Sequence, residues 1–185
     1  MTAAGQPGEP MNRISPLSAT ELRRRARAIK LVLTDSDGVL TDTGVYYGES
    51  GEVMKRFSIR DGMGVERLRL EGIETAIMTG ELSGSVRTRS QKLGLPRVYL
   101  GIKDKGAHLP VILAETGLSA GQVAYVGDDV NDLGIIDLIR PSGLTAAPGD
   151  AMPVVLKRVH YRTRERAGYG AFREFAEWLL AMRRR

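Results

Sequence analysis

"LVLTDSDGVLTD", residues 31–42, decides how the rest of the chain is read. An apolar run ends abruptly in Asp35, Asp37 and Asp42, three carboxylates within eight positions. A short apolar run closed by turn formers marks a buried strand. Carboxylates at the tip of such a strand are costly to desolvate unless something compensates them. The stretch therefore predicts a strand with a chemical site at its carboxyl end, and the remaining sequence has to supply the compensating charge.

Further short apolar runs follow: "IETAIM" (73–78), "RVYL" (97–100), "QVAYV" (122–126) and "GLT" (143–145). Between them, residues about 62–71, 83–93, 105–116 and 130–139 read as helices. Strands alternating with helices predict an α/β fold with a parallel sheet and flanking helices. "GVYYGESGEVMKRFS" (44–58) interrupts the alternation and reads as a protruding β-hairpin at the sheet rim. "AFREFAEWLLAMRRR" (171–185) places Phe172, Phe175, Leu179 and Leu180 on one face of a packing helix. Residues 1–16, rich in Gly, Pro and small polar side chains, are expected to form a flexible leader. "SATELRRRARAI" (18–29) is expected to be a short helix capped by Ser18, with Glu21 three residues on. The expected organisation is thus a leader and basic helix over 1–28 and one domain over 29–185.

Composition narrows the function classes. The chain has 185 residues, 42% of them apolar and 26% charged, which suits one globular domain. It has no cysteine, which excludes disulfides, thiolate zinc sites and cysteine nucleophiles. No apolar run approaches the roughly 20 residues that span a bilayer, and the first 16 residues lack the apolar core of a signal peptide. A cytoplasmic location with no membrane partner is expected. Much of the net charge of +5 sits in "RRRAR" (23–27) and "RRR" (183–185), and aromatics are only 5%, so no nucleic-acid partner is expected. His108 and His160, the only histidines, lack ligand spacing and read as packing or surface residues. Ser83 and Ser85 have no accompanying histidine base, and "GYGAF" lacks the lysine of a P-loop.

Ligands of a parallel sheet bind outside the carboxyl ends of its strands. The candidate groups collect there: Asp35, Asp37 and Gly38 after the first strand, and Thr79-Gly80-Glu81 after the second. Lys105 opens the helix after the third, and Gly127-Asp128-Asp129 with Asp132 follows the fourth. This pattern favours phosphoryl transfer through an aspartyl phosphate. Asp35 is the candidate nucleophile, and Asp37 the acid that protonates the leaving alcohol and then activates water. Mg²⁺ suits an oxygen cage made of the Asp35 and Asp128 carboxylates and the Asp37 carbonyl. Thr79, Gly80 and Lys105 are placed to hold phosphate oxygens, with Asp129 expected to orient Lys105. Asp42 is expected to fix its own turn.

These residues resemble the haloacid dehalogenase superfamily over about 29–180. "DSDGVLTD" looks like its first motif, Thr79 its second, Lys105 its third and "GDDVND" (127–132) its fourth. "FSIRDGMGVERL" (57–68) and "GYGAFREF" (168–175) add a resemblance to the cap-less subfamily that includes 3-deoxy-D-manno-octulosonate 8-phosphate phosphatase. The spacing from Asp37 to Thr79 likewise leaves no room for a lid domain. The resemblance implies a Rossmann-like sheet of order 3-2-1-4-5 and a homotetramer whose neighbouring protomers help close each active site. It also implies a sugar-binding side near Arg60, Asp61 and Gly62, with Arg173 reaching an adjacent protomer.

Two positions depart from the pattern. Ser36 stands where relatives usually carry Val or Ile. Glu81 stands where the octulosonate phosphatases usually carry Arg, and resembles the branch acting on 9-phosphates of nine-carbon sugar acids. On that charge reversal a nonulosonate 9-phosphate (of KDN or an N-acylneuraminate) is the expected substrate, with the octulosonate 8-phosphate as the alternative. A non-catalytic assembly domain partnering an acylneuraminate cytidylyltransferase is a further alternative. A response-regulator receiver is excluded, because its phosphorylated Asp would lie on the third strand, and "RVYL" ends in Gly101-Ile102.

Overall fold

The computed structural model describes residues 17–184. The expected leader over 1–16 lies outside the described residues. In chain order the elements are α1 (Ala19–Ala28), β1 (Leu31–Thr34), β2 (Thr41–Gly48), β3 (Gly51–Phe57), α2 (Ile59–Leu70), β4 (Glu74–Met78), α3 (Gly84–Lys92) and β5 (Arg97–Tyr99). Then come α4 (Lys105–Thr116), β6 (Val123–Val126), α5 (Leu133–Ile139), β7 (Leu144–Ala147), α6 (Pro153–Leu156), β8 (Tyr161–Arg162) and α7 (Ala171–Arg184).

The main sheet has the order β5-β4-β1-β6-β7-β8, and every adjacent pair is parallel. This is the expected 3-2-1-4-5 arrangement extended by β8, a two-residue strand too short to leave a periodic signal. Alternation along the central strands explains the burial of both faces. Val32, Ile77 and Ala124 pack with Phe172, Phe175 and Leu179, whereas Leu31, Leu33, Met78 and Tyr125 pack with Ile112 and Ile136. Helices α1, α2 and α7 cover the first face, and α4 and α5 cover the second.

The antiparallel pair β2-β3 is a separate hairpin, and no cap domain is present among the described residues. Helix α2 begins at Ile59, three residues before the sequence pattern indicates, because the Ser58 hydroxyl accepts from the Arg60 and Asp61 amides. The basic helix expected to precede the domain is packed into it. Arg25 donates to the Arg140 and Gly143 carbonyls at 2.7 and 3.0 Å, and Ala26 is fully buried. Ser36 is fully buried too, and its hydroxyl has no hydrogen-bond partner.

Candidate active site

The site is built where β1, β4 and β6 end side by side. Thr34 at the tip of β1 is level with Ile77 of β4 and Val126 of β6. Asp35, Thr79 and Asp128 therefore emerge from neighbouring strands, and the Asp35 amide still donates to the Val126 carbonyl at 2.9 Å. Carboxylate oxygens of Asp35, Asp128 and Asp132 lie within 4.8 Å of one another. Gly38 has φ +82°, and a Cβ on it would sit 1.9 Å from Asp128 Oδ2. Glycine is required here both for the left-handed turn and for the space.

Lys105 is the first residue of α4, whose N-terminus the Asp104 side chain caps through the Ala107 amide. Its fully buried Nζ lies 2.7 Å from Asp35 Oδ2 and 2.6 Å from Asp132 Oδ1. Asp132 also accepts from the Tyr125 hydroxyl at 2.6 Å and from the Asp128 and Asp129 amides at 2.7 and 3.3 Å. The expected role of Asp129 is thereby corrected: its carboxylate caps the next turn through the Val130 amide, and Asp132 is the brace on Lys105.

The electrostatics call for a cation. Burial and the repulsion of Asp132 push the Asp35 carboxyl up to about 7 against the opposing pull of Lys105. Burial, then repulsion by Asp35 and Asp132, pushes Asp128 up to about 8. Burial pulls Lys105 down, but the two carboxylates beside it outweigh that and raise it overall. No hydrogen bond among the described residues ends on the Asp128 carboxylate, which leaves it free as a ligand, whereas Asp132 is saturated by four donors. A hard divalent ion fits a site where the Asp35 and Asp128 carboxylates stand this close together.

Asp37 is held from the hairpin. Its Oδ1 accepts from the Thr41 hydroxyl at 3.2 Å, and its Oδ2 lies 2.6 Å from Lys55 Nζ. Lys55 is the one buried residue of β3 and also lies 3.4 Å from Glu52, which accepts from the Ser83 hydroxyl at 2.5 Å. Sequence reading missed Lys55. Alternation along β3, which turns Lys55 and Phe57 inward, is the signal that could have found it.

Thr79 is buried, and its hydroxyl oxygen accepts from the Glu81 amide at 3.2 Å, so its proton is free to donate outward. Glu81 lies beyond Gly80 and forms an exposed ion pair with Lys103 at 3.1 Å. The charge reversal that favoured a nine-carbon substrate is therefore locally neutralised. Asp61 is buried, and its carboxylate accepts from the Gly170 and Arg173 amides, holding the start of α7. Arg60 and Arg173 line a separate cleft of about 480 Å³ with Tyr169 and Arg164. Gly62 faces the Arg89 guanidinium, which a Cβ would meet at 2.5 Å. Asp42 accepts from the Gly44 amide at 3.3 Å, the local turn bond expected of it.

No family model matches the sequence. The chain is similar to the 3-deoxy-D-manno-octulosonate 8-phosphate phosphatase KdsC of Yersinia pestis, at 37% identity over 162 residues, covering 88% of this chain and 85% of that protein. It is similar to the protein of the same name from Escherichia coli K12, at 37% identity over 165 residues, covering 89% and 86%. The crystal structure of the Moraxella catarrhalis 3-deoxy-D-manno-octulosonate 8-phosphate phosphatase in complex with magnesium ion, phosphate ion and KDO superimposes with a TM-score of 0.82. That match has 32% identity and covers 89% of this chain and 93% of the other.

Proposed function

The chain belongs to the KdsC-like phosphatases of the haloacid dehalogenase superfamily, and on that premise we propose that it hydrolyses 3-deoxy-D-manno-octulosonate 8-phosphate to the sugar acid and inorganic phosphate. It is a phosphoric monoester hydrolase that uses Mg²⁺. The eight-carbon substrate replaces the nine-carbon expectation because the relatives named for a substrate act on the octulosonate, and because Lys103 offsets the charge of Glu81. The observation that carries the assignment is the buried Asp35–Lys105–Asp132 chain beside the free carboxylate of Asp128.

In the proposed reaction Asp35 Oδ attacks phosphorus and the bond from phosphorus to the sugar oxygen breaks. Asp37, oriented by Thr41 and Lys55, gives its proton to the departing oxygen. It then takes a proton from water, whose oxygen attacks the phosphorus of the aspartyl phosphate and displaces the Asp35 carboxylate. Lys105, the Thr79 hydroxyl and the Gly80 amide hold the phosphate oxygens as charge spreads over them. Asp35, Asp128 and the Asp37 carbonyl would hold Mg²⁺, whose positive charge would offset repulsion between the phosphate and its anionic nucleophile.

The test is Mg²⁺-dependent phosphate release from the octulosonate 8-phosphate and from a nonulosonate 9-phosphate. Preference for the first and complete loss in Asp35→Asn are expected. Preference for the second restores the nine-carbon reading, and turnover in Asp35→Asn defeats the mechanism.

A tetrameric assembly belongs to the same proposal. Tyr46, Tyr47, Val53 and Met54 of the hairpin are 54–73% exposed, an apolar surface that a monomer has no reason to keep. Light scattering on the purified protein reads the mass directly.

A further inference from the structure

The loop from β5 to α4 is laced to the turn that ends β4. The Gly101 amide donates to the Glu81 carbonyl at 3.3 Å, and the Ile102 amide donates to the Thr79 carbonyl at 2.9 Å. Lys103 Nζ lies 3.1 Å from Glu81 Oε1, and a Cβ on Gly80 would lie 3.8 Å from it. The ammonium thus hangs over the backbone of the turn proposed to hold phosphate.

Two lysines leave this loop two residues apart with opposite fates. Lys105 is fully buried and consumed by Asp35 and Asp132. Lys103 is 76% exposed and its partner Glu81 61% exposed. An exposed pair of this kind adds little to stability, so the cation costs little to redirect toward a ligand. A sugar-acid phosphate carries an anion at each end. The interior charges are matched to the phosphate, which leaves the carboxylate to be met by a cation at the rim.

We propose that Lys103 is a specificity-determining residue that binds the substrate carboxylate, with Glu81 holding its ammonium over Gly80 and accepting from a sugar hydroxyl. The assignment rests on the phosphatase function proposed above. It gives Glu81 a purpose that does not depend on a nine-carbon substrate, since the pair presents a donor and an acceptor together.

Steady-state kinetics on the full-length enzyme with Lys103→Met and Lys103→Arg test it. The substrates are the octulosonate 8-phosphate and p-nitrophenyl phosphate, which has no carboxylate. Loss of one charge-assisted contact should raise KM for the sugar-acid phosphate about tenfold in Lys103→Met with kcat little changed. KM for p-nitrophenyl phosphate should not move, and Lys103→Arg should restore most of the loss. An equal rise in KM for both substrates makes Lys103 a phosphate ligand and overturns the assignment. No change for either leaves a surface ion pair and overturns it as well. Wild-type enzyme that hydrolyses p-nitrophenyl phosphate but no sugar-acid phosphate overturns the substrate assignment and this inference together, a failure visible before any variant is made.

Discussion

Lys105 Nζ stands 2.6 Å from Asp132 Oδ1 and 2.7 Å from Asp35 Oδ2, so one buried ammonium is shared between a structural carboxylate and the proposed nucleophile. Asp132 is itself fully buried and fixed by the buried Tyr125 hydroxyl and by two backbone amides. In the proposed mechanism this second partner keeps the lysine in place when Asp35 takes the phosphoryl group. It stays where the charge on the transferred group develops.

Asp132→Asn removes the charge that holds Lys105 and keeps the shape. We expect kcat to fall about a hundredfold, the effect of a catalytic group displaced by about 1 Å, and stability to drop by about 3 kcal/mol because a buried ion pair loses one partner. Asp129→Asn keeps its capping role and should leave turnover close to wild type. Kinetics and urea melts on the two variants side by side decide whether Asp132 or Asp129 braces the lysine.

Lys55 ties the hairpin to the chemistry. It is pulled down by burial and raised overall by its bond to Asp37 and by the charges of Asp37 and Glu52, so it is a fixed cation beside the proposed acid. Lys55→Met should lower kcat by roughly ten- to a hundredfold by freeing the Asp37 carboxylate from its orientation. Thermal melting should shift little, since Thr41 still holds one oxygen. Unchanged kcat would reduce the contact to hairpin packing.

The sequence made the frame legible for a simple reason. The strand tips carry short apolar runs that end in charge, and the turn after β1 demands a glycine at 38, so Asp35, Thr79, Lys105 and Asp128 could be placed on one edge. What stayed hidden depends on side-chain direction across elements. Asp61 beside Arg60 gives no sign in the sequence that its carboxylate accepts from the Gly170 and Arg173 amides and holds the start of α7. Lys103 reads as an ordinary surface charge until its ammonium is seen over Gly80. Strand β8 has two residues and no pattern, and only its pairing with β7 reveals it.

His160 links stability to pH away from the site. Its Nδ1 accepts from the Thr145 amide at 3.1 Å, a role open only to the neutral ring. Burial, then the charges of Arg25 and Arg140, lowers its pKa from 6.5 to about 4. The unfolded chain therefore binds a proton that the folded chain refuses between these values. The contribution is fully present above pH 6.5 and is lost as pH falls toward 4. After discounting for solvent screening, about 1 kcal/mol should disappear between pH 7 and pH 5. Urea melts of wild type and His160→Gln at both pH values isolate it, and equal slopes in the two proteins would refute the linkage.

Asp128 offers the most direct test of the metal. Its carboxylate is crowded by Asp35 and Asp132 and receives no hydrogen bond among the described residues, so the metal-free site carries a repulsion that either a proton or a metal cation relieves, and that persists as pH rises toward 8. A ligand that binds only the folded state stabilises it by about 2.7 kcal/mol at a hundred times its dissociation constant. Saturating Mg²⁺ at pH 8 should therefore raise Tm by several degrees, and chelation should reverse the shift. Asp128→Asn removes both a ligand and the repulsion. The metal-free variant should melt at or above the metal-free wild type, while its response to Mg²⁺ should nearly vanish. That crossing is the diagnostic result: a lower metal-free Tm in Asp128→Asn would mean that the carboxylate is structural, and an undiminished Mg²⁺ shift would place the ion elsewhere.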